Sequence, residues 1–229
     1  MLPRIVEVRK NILRRNDIAA AVLRDRFRVA DVFVASLVSS PGAGKTAFLE
    51  RTLSSIAVRH RTAALVGDLA TENDADRLRQ SGVPVRQITT GTVCHLDAEM
   101  VERAIEGWSL DELEYLFIEN VGNLVCPASY DLGEHFRLVL LSVTEGEDKP
   151  LKYPTIFNTA DCAIVTKIDL AAAVDFDCAA LRRHIESVRP GLPVLEVSAK
   201  TGQGVSEWLD LLDQYRGFAA VENARMATY

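Results

Sequence analysis

The sequence predicts an α/β fold in which a mainly parallel central sheet carries helices on both faces. Three observations predict it. Short apolar runs alternate with polar, helix-like stretches along most of the chain, the runs are bounded by turn-forming residues, and a glycine-rich turn joins the first run to a helical stretch. With 229 residues, 48% of them hydrophobic and 25% charged, one large domain is expected and a disordered or fibrous chain is excluded.

Taken in order, residues 4–27 (RIVEVRKNILRRNDIAAAVLRDRF) repeat Ile5, Val8, Ile12, Ala19, Val22 and Leu23 at roughly helical spacing amid charge. They predict an N-terminal amphipathic helix, unit 1–30, packed on the domain. Strands are then expected at VFVASLV (32–38), AALVG (63–67), VRQIT (85–89), YLFIEN (115–120), FRLVLLSV (136–143), CAIVT (162–166) and LPVLEV (192–197). Ligands belong at the carboxyl ends of such strands. Residues 146–154 read as a loop, the main domain as 31–218, and 219–229 as a C-terminal tail.

Composition excludes several partners. A net charge of −6 leaves no basic stripe for nucleic acid, and the cluster Arg24, Arg26, Arg28 is too short to reverse that. No apolar run approaches the roughly 18 to 20 residues that span a bilayer, and MLPRIVEVRKN lacks the apolar core of a signal peptide. A cytoplasmic protein without a membrane partner is expected. Cys94, Cys126, Cys162 and Cys178 are too sparse for a disulfide scaffold, so each is a core thiol, a reactive thiol or a metal ligand.

The first strand runs into Ser39-Ser40-Pro41-Gly42-Ala43-Gly44-Lys45-Thr46, followed by a helical AFLERTLSSIAV. This is a P-loop in its strand–loop–helix setting, which makes the domain a P-loop NTPase with a three-layer fold. Gly42 and Gly44 let backbone amides from Gly42 through Ala43 to Ala47 converge on phosphate oxygens at the positive end of a helix. Lys45 supplies charge to the outer phosphates, and Thr46 offers a hydroxyl to Mg²⁺. Ser39 stands where the usual pattern has Gly.

Further on, Thr166-Lys167-Ile168-Asp169 and Ser198-Ala199-Lys200 each directly follow a predicted strand and resemble the base-reading motifs of GTPases. The resemblance implies that Asp169 accepts hydrogen bonds from guanine, that Lys167 stacks along the base, and that the Ala199 amide meets the guanine carbonyl. Thr166 replaces the commoner Asn, so the hydrogen bond with which Asn braces this loop is not guaranteed. Mg²⁺ retains waters in an octahedral oxygen shell. Its candidate carboxylates are Asp68, Asp74 and Glu119, the last opening Glu119-Asn120-Val121-Gly122, which resembles the metal- and γ-phosphate-sensing turn of GTPases. No Gln or His follows where a water-orienting side chain usually does, and slow intrinsic GTP hydrolysis is expected.

A softer metal site is expected as well. Cys94-His95 places a thiol beside an imidazole, Cys126 follows the 119–122 turn, and thiolate with imidazole suits Zn²⁺ or Ni²⁺. Neighbours in extended backbone point apart, so Cys94 and His95 share an ion only in a bent loop. Three ligands are one short of a closed tetrahedral site, and two copies meeting about a two-fold axis would complete it at a dimer interface. Cys162 and Cys178 read as structural thiols, and His60, His135 and His184 as surface residues.

Together, SSPGAGKT, GDLATENDADRL, CHLDAEM, IENVGNLVCPASYDLGE, TEGEDKPLKYP, TKIDL and VSAKTGQG resemble the HypB family, GTPases that help deliver nickel to [NiFe]-hydrogenase. The resemblance covers nearly the whole chain. It implies a GTP-dependent homodimer whose Cys94, His95 and Cys126 hold Ni²⁺ or Zn²⁺ at the interface, with GTP/GDP and Mg²⁺ as further ligands, and hydrogenase maturation factors and the hydrogenase large subunit as partners. It also implies that Asp74 belongs to the switch region near Mg²⁺ and that Lys149, or else Lys152, reaches a nucleotide across the dimer. Before Arg4 there is neither the Cys-rich motif nor the His-rich tract of many members, so tight nickel storage is not expected. Two readings compete: a urease-accessory-type nickel GTPase, whose Cys-Pro-His run is not found here, and a regulatory nucleotide switch with structural cysteines.

Overall fold

The computed structural model describes residues 4–69 and 72–226. Seven parallel strands form one sheet in the order β3-β2-β4-β1-β5-β6-β7. They are β1 (Phe33–Ser39), β2 (Thr62–Asp68), β3 (Val85–Thr89), β4 (Tyr115–Glu119), β5 (Phe136–Ser142), β6 (Cys162–Thr166) and β7 (Val194–Val197). Every residue of β1, β4, β5 and β6 is buried, which is why their sequences are apolar runs without alternation. The helices that bury them are α1 (Arg4–Val29), α2 (Lys45–Ile56), α3 (Asn73–Arg79), α4 (Ala98–Ala104), α5 (Lys149–Lys152), α6 (Pro154–Thr159), α7 (Cys178–Val188) and α8 (Val205–Met226).

One face of the sheet packs Phe33, Ala35, Leu37, Leu138 and Leu140 against Phe48, Leu49 and Leu53 of α2 and Trp208 and Leu212 of α8. Trp208 is fully buried, and its indole N–H donates to the Thr52 hydroxyl at 3.0 Å, so its polar atom costs nothing in the core. The opposite face is covered in two halves. Ala20, Leu23 and Phe27 of α1 and Val101 of α4 lie over Val34, Leu65 and Ile118, while Phe157, Leu181 and Ile185 lie over Val139 and Val165. These layers leave the carboxyl ends of β1, β2, β4, β6 and β7 at one edge of the molecule, where the functional side chains gather.

The predicted helix 4–27 forms, two residues longer, yet its buried stripe differs from the expected one. Asn16, Ala20, Leu23 and Phe27 face the core, whereas Ile12 and Val22 are exposed, and the side chains of Ile5 and Val8 lie outside the described residues. Asn16 explains the difference: its buried amide makes two hydrogen bonds, donating to the Asp131 carbonyl (2.9 Å) and accepting from the Ala98 amide (2.9 Å), so a polar residue occupies a core position. The expected tail at 219 is a correction too. α8 runs unbroken through that boundary to Met226, with Tyr215 against Phe136 and Phe218 against Tyr215 extending its packing. Residues 146–154, expected as a loop, contain the turn of helix α5, opened by Pro150 near its start.

The histidines are less exposed than predicted. His135 stacks on Phe33 with ring centroids 5.6 Å apart, its Nδ1 accepts from the Val34 amide, and burial pushes its imidazole pKa below the usual range. His60 pairs with Glu114 at 3.1 Å, and the Nδ1 of His184 meets the Glu147 carbonyl at 2.8 Å. Cys162 is a core thiol, pushed up to about 12 by burial.

Candidate functional site

The P-loop leaves β1 and enters α2, with Gly42 and Gly44 both at positive φ, as a turn that aims successive amides inward requires. Beside it, Gly67, Asp68, Asp74, Arg77, Glu119 and Gly122 complete a cleft with Lys45 and Thr46. The structure therefore brings together the five side chains expected around phosphate and Mg²⁺, Lys45, Thr46, Asp68, Asp74 and Glu119, from four separate elements. Gly122 is needed for closure: a Cβ there would lie 2.9 Å from the Pro41 Cα, so only glycine lets the 119–122 turn rest on the P-loop.

Charges in this cleft are strongly perturbed. The Lys45 ammonium is buried on the Ser39 hydroxyl at 2.9 Å; burial pushes its pKa down, and the carboxylates of Glu119, Asp74 and Glu145 oppose that shift. Ser39 thus has a use that glycine in the usual pattern would lack. Glu119 is 2% exposed; burial raises its carboxyl to about 7 against the pull of Lys45 and the Thr46 hydroxyl. One oxygen, Oε1, accepts from Thr46 Oγ1 at 2.8 Å, and the other, Oε2, is buried without a hydrogen-bond partner. A buried, unsatisfied carboxylate oxygen beside a hydroxyl and two further carboxylates is the donor set a hard cation takes. Asp68 turns one oxygen back to the Leu69 amide at 2.5 Å.

A second, mostly apolar cleft lies on the other side of the P-loop. Gly44, Ala47 and Phe48 form one wall, and Lys167, Asp169, Ala199 and Lys200 the other. Lys167 lies along it with its ammonium on the Gly42 carbonyl at 2.7 Å, which fixes the alkyl stem as a flat surface. Ser198 does not line the cleft. Its hydroxyl accepts from the Thr201 amide (3.1 Å) and its own amide donates to the Gln203 carbonyl (2.9 Å), so it tightens the loop that presents Ala199. Thr166 braces the loop after all, its hydroxyl donating to the Ala43 carbonyl of the P-loop at 2.5 Å. Ala43 is buried and reaches the site only through its backbone.

Lys149 and Lys152 separate cleanly. Lys149 Nζ lies 3.1 Å from the Ser40 hydroxyl of its own chain's P-loop and 3.2 Å from Glu145, whereas Lys152 pairs with Asp148 at 2.6 Å and is largely exposed.

Beyond the 119–122 turn, Cys94, His95 and Cys126 converge, with one potential ligand atom of each within 4.8 Å of the others. The Cys94 and Cys126 sulfurs are 3.0 Å apart. The bend needed for neighbours Cys94 and His95 is present: residues 90–97 have no helix or strand, and the Val93 amide turns back to the Thr90 carbonyl. The His95 ring stacks on Tyr130 with centroids 3.8 Å apart, and its Nδ1 is buried with no hydrogen-bond partner. Burial pushes the imidazole pKa down, opposed by Asp97, so the ring is held in the neutral form that metals bind. Tyr130, Asn16, Asn120 and Asn123 were not singled out from sequence. Asn120 and Asn123 lie within the Glu119–Cys126 stretch, which was their only signal.

Residues 33–196 match the family model described as the CobW/HypB/UreG nucleotide-binding domain. Among curated relatives, hydrogenase maturation factor HypB of Azotobacter vinelandii is 49% identical over 93% of this chain and 71% of its own length. Among solved structures, HypB from Helicobacter pylori in complex with nickel superposes with a TM-score of 0.83 at 40% identity, over 88% of this chain and 95% of that one. The hydrogenase maturation factor HypB from Archaeoglobus fulgidus gives 0.82 at 36% identity, over 88% and 98%. A P-loop cleft, a thiol–imidazole cluster beside it and relatives this similar across nearly the whole length place the chain in the CobW/HypB/UreG family, as one of its HypB hydrogenase maturation factors.

Proposed function

We propose that this protein is a GTP-hydrolysing metallochaperone that helps insert nickel into [NiFe]-hydrogenase, acting as a GTP-dependent cytoplasmic homodimer with an interfacial Ni²⁺ or Zn²⁺ site. The observation that carries the reading is that one short stretch, from Glu119 to Cys126, contributes both a carboxylate of the nucleotide cleft and a thiol of the metal cluster. The Helicobacter pylori relative, solved in complex with nickel, supports it.

Several assignments follow from the geometry. GTP would lie with its phosphates on Gly42 to Ala47 and Lys45, its base between the Lys167 stem and Ala199, and the Asp169 carboxylate at the guanine edge. Thr46, Asp68, Asp74 and Glu119 would hold Mg²⁺, and the unpaired Glu119 Oε2 fits that role; the ion supplies neutralisation of phosphate charge. Lys149, already at Ser40, adds a cation at the outer phosphates. Among the described residues lining this cleft there is no Gln or His to orient a water, so unassisted hydrolysis is expected at about 10⁻⁴ to 10⁻² s⁻¹. Cys94, His95 and Cys126 supply three ligands, and a second copy supplies the rest by symmetry. Among the described residues no helix is long and apolar enough to cross a membrane.

Base selection tests the nucleotide half. In Asp169→Asn one of the two oxygens facing guanine's N–H groups becomes an NH₂ donor while the other still accepts, so GTP affinity should fall by about 10²-fold or more while xanthosine triphosphate is gained. Binding of labelled analogues measures both, and unchanged GTP affinity contradicts the assignment.

A further inference from the structure

The stretch from Glu119 to Cys126 explains how a change in the cleft reaches Cys126, but not how it reaches Cys94 and His95, which lie on a different segment. Leu96 supplies that connection. It directly follows His95 and is fully buried. Its amide donates to the Asn120 Oδ1 at 3.0 Å, and the same oxygen accepts from the Val121 amide at 2.9 Å. Asn120 is 2% exposed and follows Glu119 at the end of β4, where consecutive side chains point to opposite faces. Glu119 therefore meets Thr46 while Asn120 meets Leu96.

The Leu96 side chain is held from its other side by β2. A Cβ placed on Gly67 would come within 2.8 Å of Leu96 Cγ, and Gly67 directly precedes the cleft residue Asp68. The loop carrying Cys94 and His95 is thus seated on the ends of both strands that present cleft carboxylates. A further bond, from Asn123 Nδ2 to the Cys94 carbonyl at 3.2 Å, ties it to the 119–126 stretch. Close-packed groups transmit a displacement rather than absorb it. Two buried amides depend on the one Asn120 oxygen, so its removal would leave both unpaired.

We propose that Leu96, seated between the Asn120 carboxamide and the Gly67 backbone, is the joint through which occupancy of the nucleotide cleft sets the position of Cys94 and His95. Asn120 and Gly67 are positioning residues in this scheme, which rests on the nucleotide–metal coupling proposed above and names its route.

The test uses the full chain and Zn²⁺ alone as probe. Its dissociation constant is measured by chelator competition with GDP and with Mg²⁺ plus a non-hydrolysable GTP analogue. The wild-type values should differ by at least about five-fold. Asn120→Ala should bring them within about two-fold of each other while Zn²⁺ still binds both states. Asn120→Asp, which keeps an acceptor for both amides, should restore the difference. Gly67→Ala, whose methyl would press on Cγ and both methyls of Leu96, should also shrink it, and serves the test if Asn120→Ala does not fold. The joint is overturned if the folded variants keep the wild-type ratio, or if Asn120→Asp fails to restore it. A wild-type ratio of one would instead overturn the coupling itself.

Discussion

The double variant Cys94→Ala/Cys126→Ala is expected to bind Ni²⁺ and Zn²⁺ at least about 10²-fold more weakly than wild type. The two sulfurs are two of the three ligand atoms that converge, and loss of outer-shell partners alone commonly costs 10- to 100-fold in metal affinity. Both cysteines are only half-buried and lie outside helices and strands, so the substitutions should leave the fold intact and the thermal midpoint within a few degrees, roughly the effect of 1 kcal/mol in a domain this size. Chelator competition alongside a thermal melt separates the two effects. Wild-type affinity in a folded double variant would show that these thiols are structural and would favour the plain nucleotide switch over the metallochaperone.

Lys45→Ala should reduce GTP hydrolysis by about 10²- to 10³-fold, the usual cost of removing one preorganised stabiliser of developing charge. The ammonium is buried on Ser39; burial lowers its pKa, and the nearby carboxylates of Glu119, Asp74 and Glu145 oppose that shift, which places the amine where phosphate oxygens would gather. Neither nearby lysine takes its position: Lys149 is held by Glu145 and Ser40, and Lys167 by the Gly42 carbonyl. Single-turnover phosphate release measures the loss. A rate within a few-fold of wild type would mean that the P-loop geometry is present but does not carry the chemistry.

Much of the sheet is legible because the central strands β1, β4, β5 and β6 are buried along their whole length and read as apolar runs. VRQIT and CAIVT were located to the residue, and the other strands end within two residues of their apolar runs. The nucleotide cleft was legible for a related reason, since phosphate binding imposes residue types at fixed spacing. What was missed was polar and long-range. Asn16 sits on the core stripe of α1 because it hydrogen-bonds Ala98 and Asp131, which belong to the segments carrying Cys94-His95 and Cys126, and apolar periodicity cannot signal such a contact. His135 reads as a surface residue in the sequence because no pattern there shows that β1 offers it an amide and Phe33 a ring. Thr166 illustrates the opposite case: the motif departs from the usual residue, yet the threonine hydroxyl reaches a P-loop carbonyl, that of Ala43, and ties the two loops together. Cys94, His95 and Cys126, singled out by their chemistry together with the bend they would need, do converge, while the stacking of His95 on Tyr130 has no sequence signal.

The most direct test of the account is the Ni²⁺ affinity and mass of the wild-type chain in two nucleotide states, by titration calorimetry with light scattering on the same samples. If purine triphosphate and soft-metal sites act on one another, nickel dissociation constants with GDP and with Mg²⁺ plus a non-hydrolysable GTP analogue will differ at least about five-fold, and the triphosphate form will have twice the protomer mass. Equal constants and an unchanged monomer in both states would contradict it.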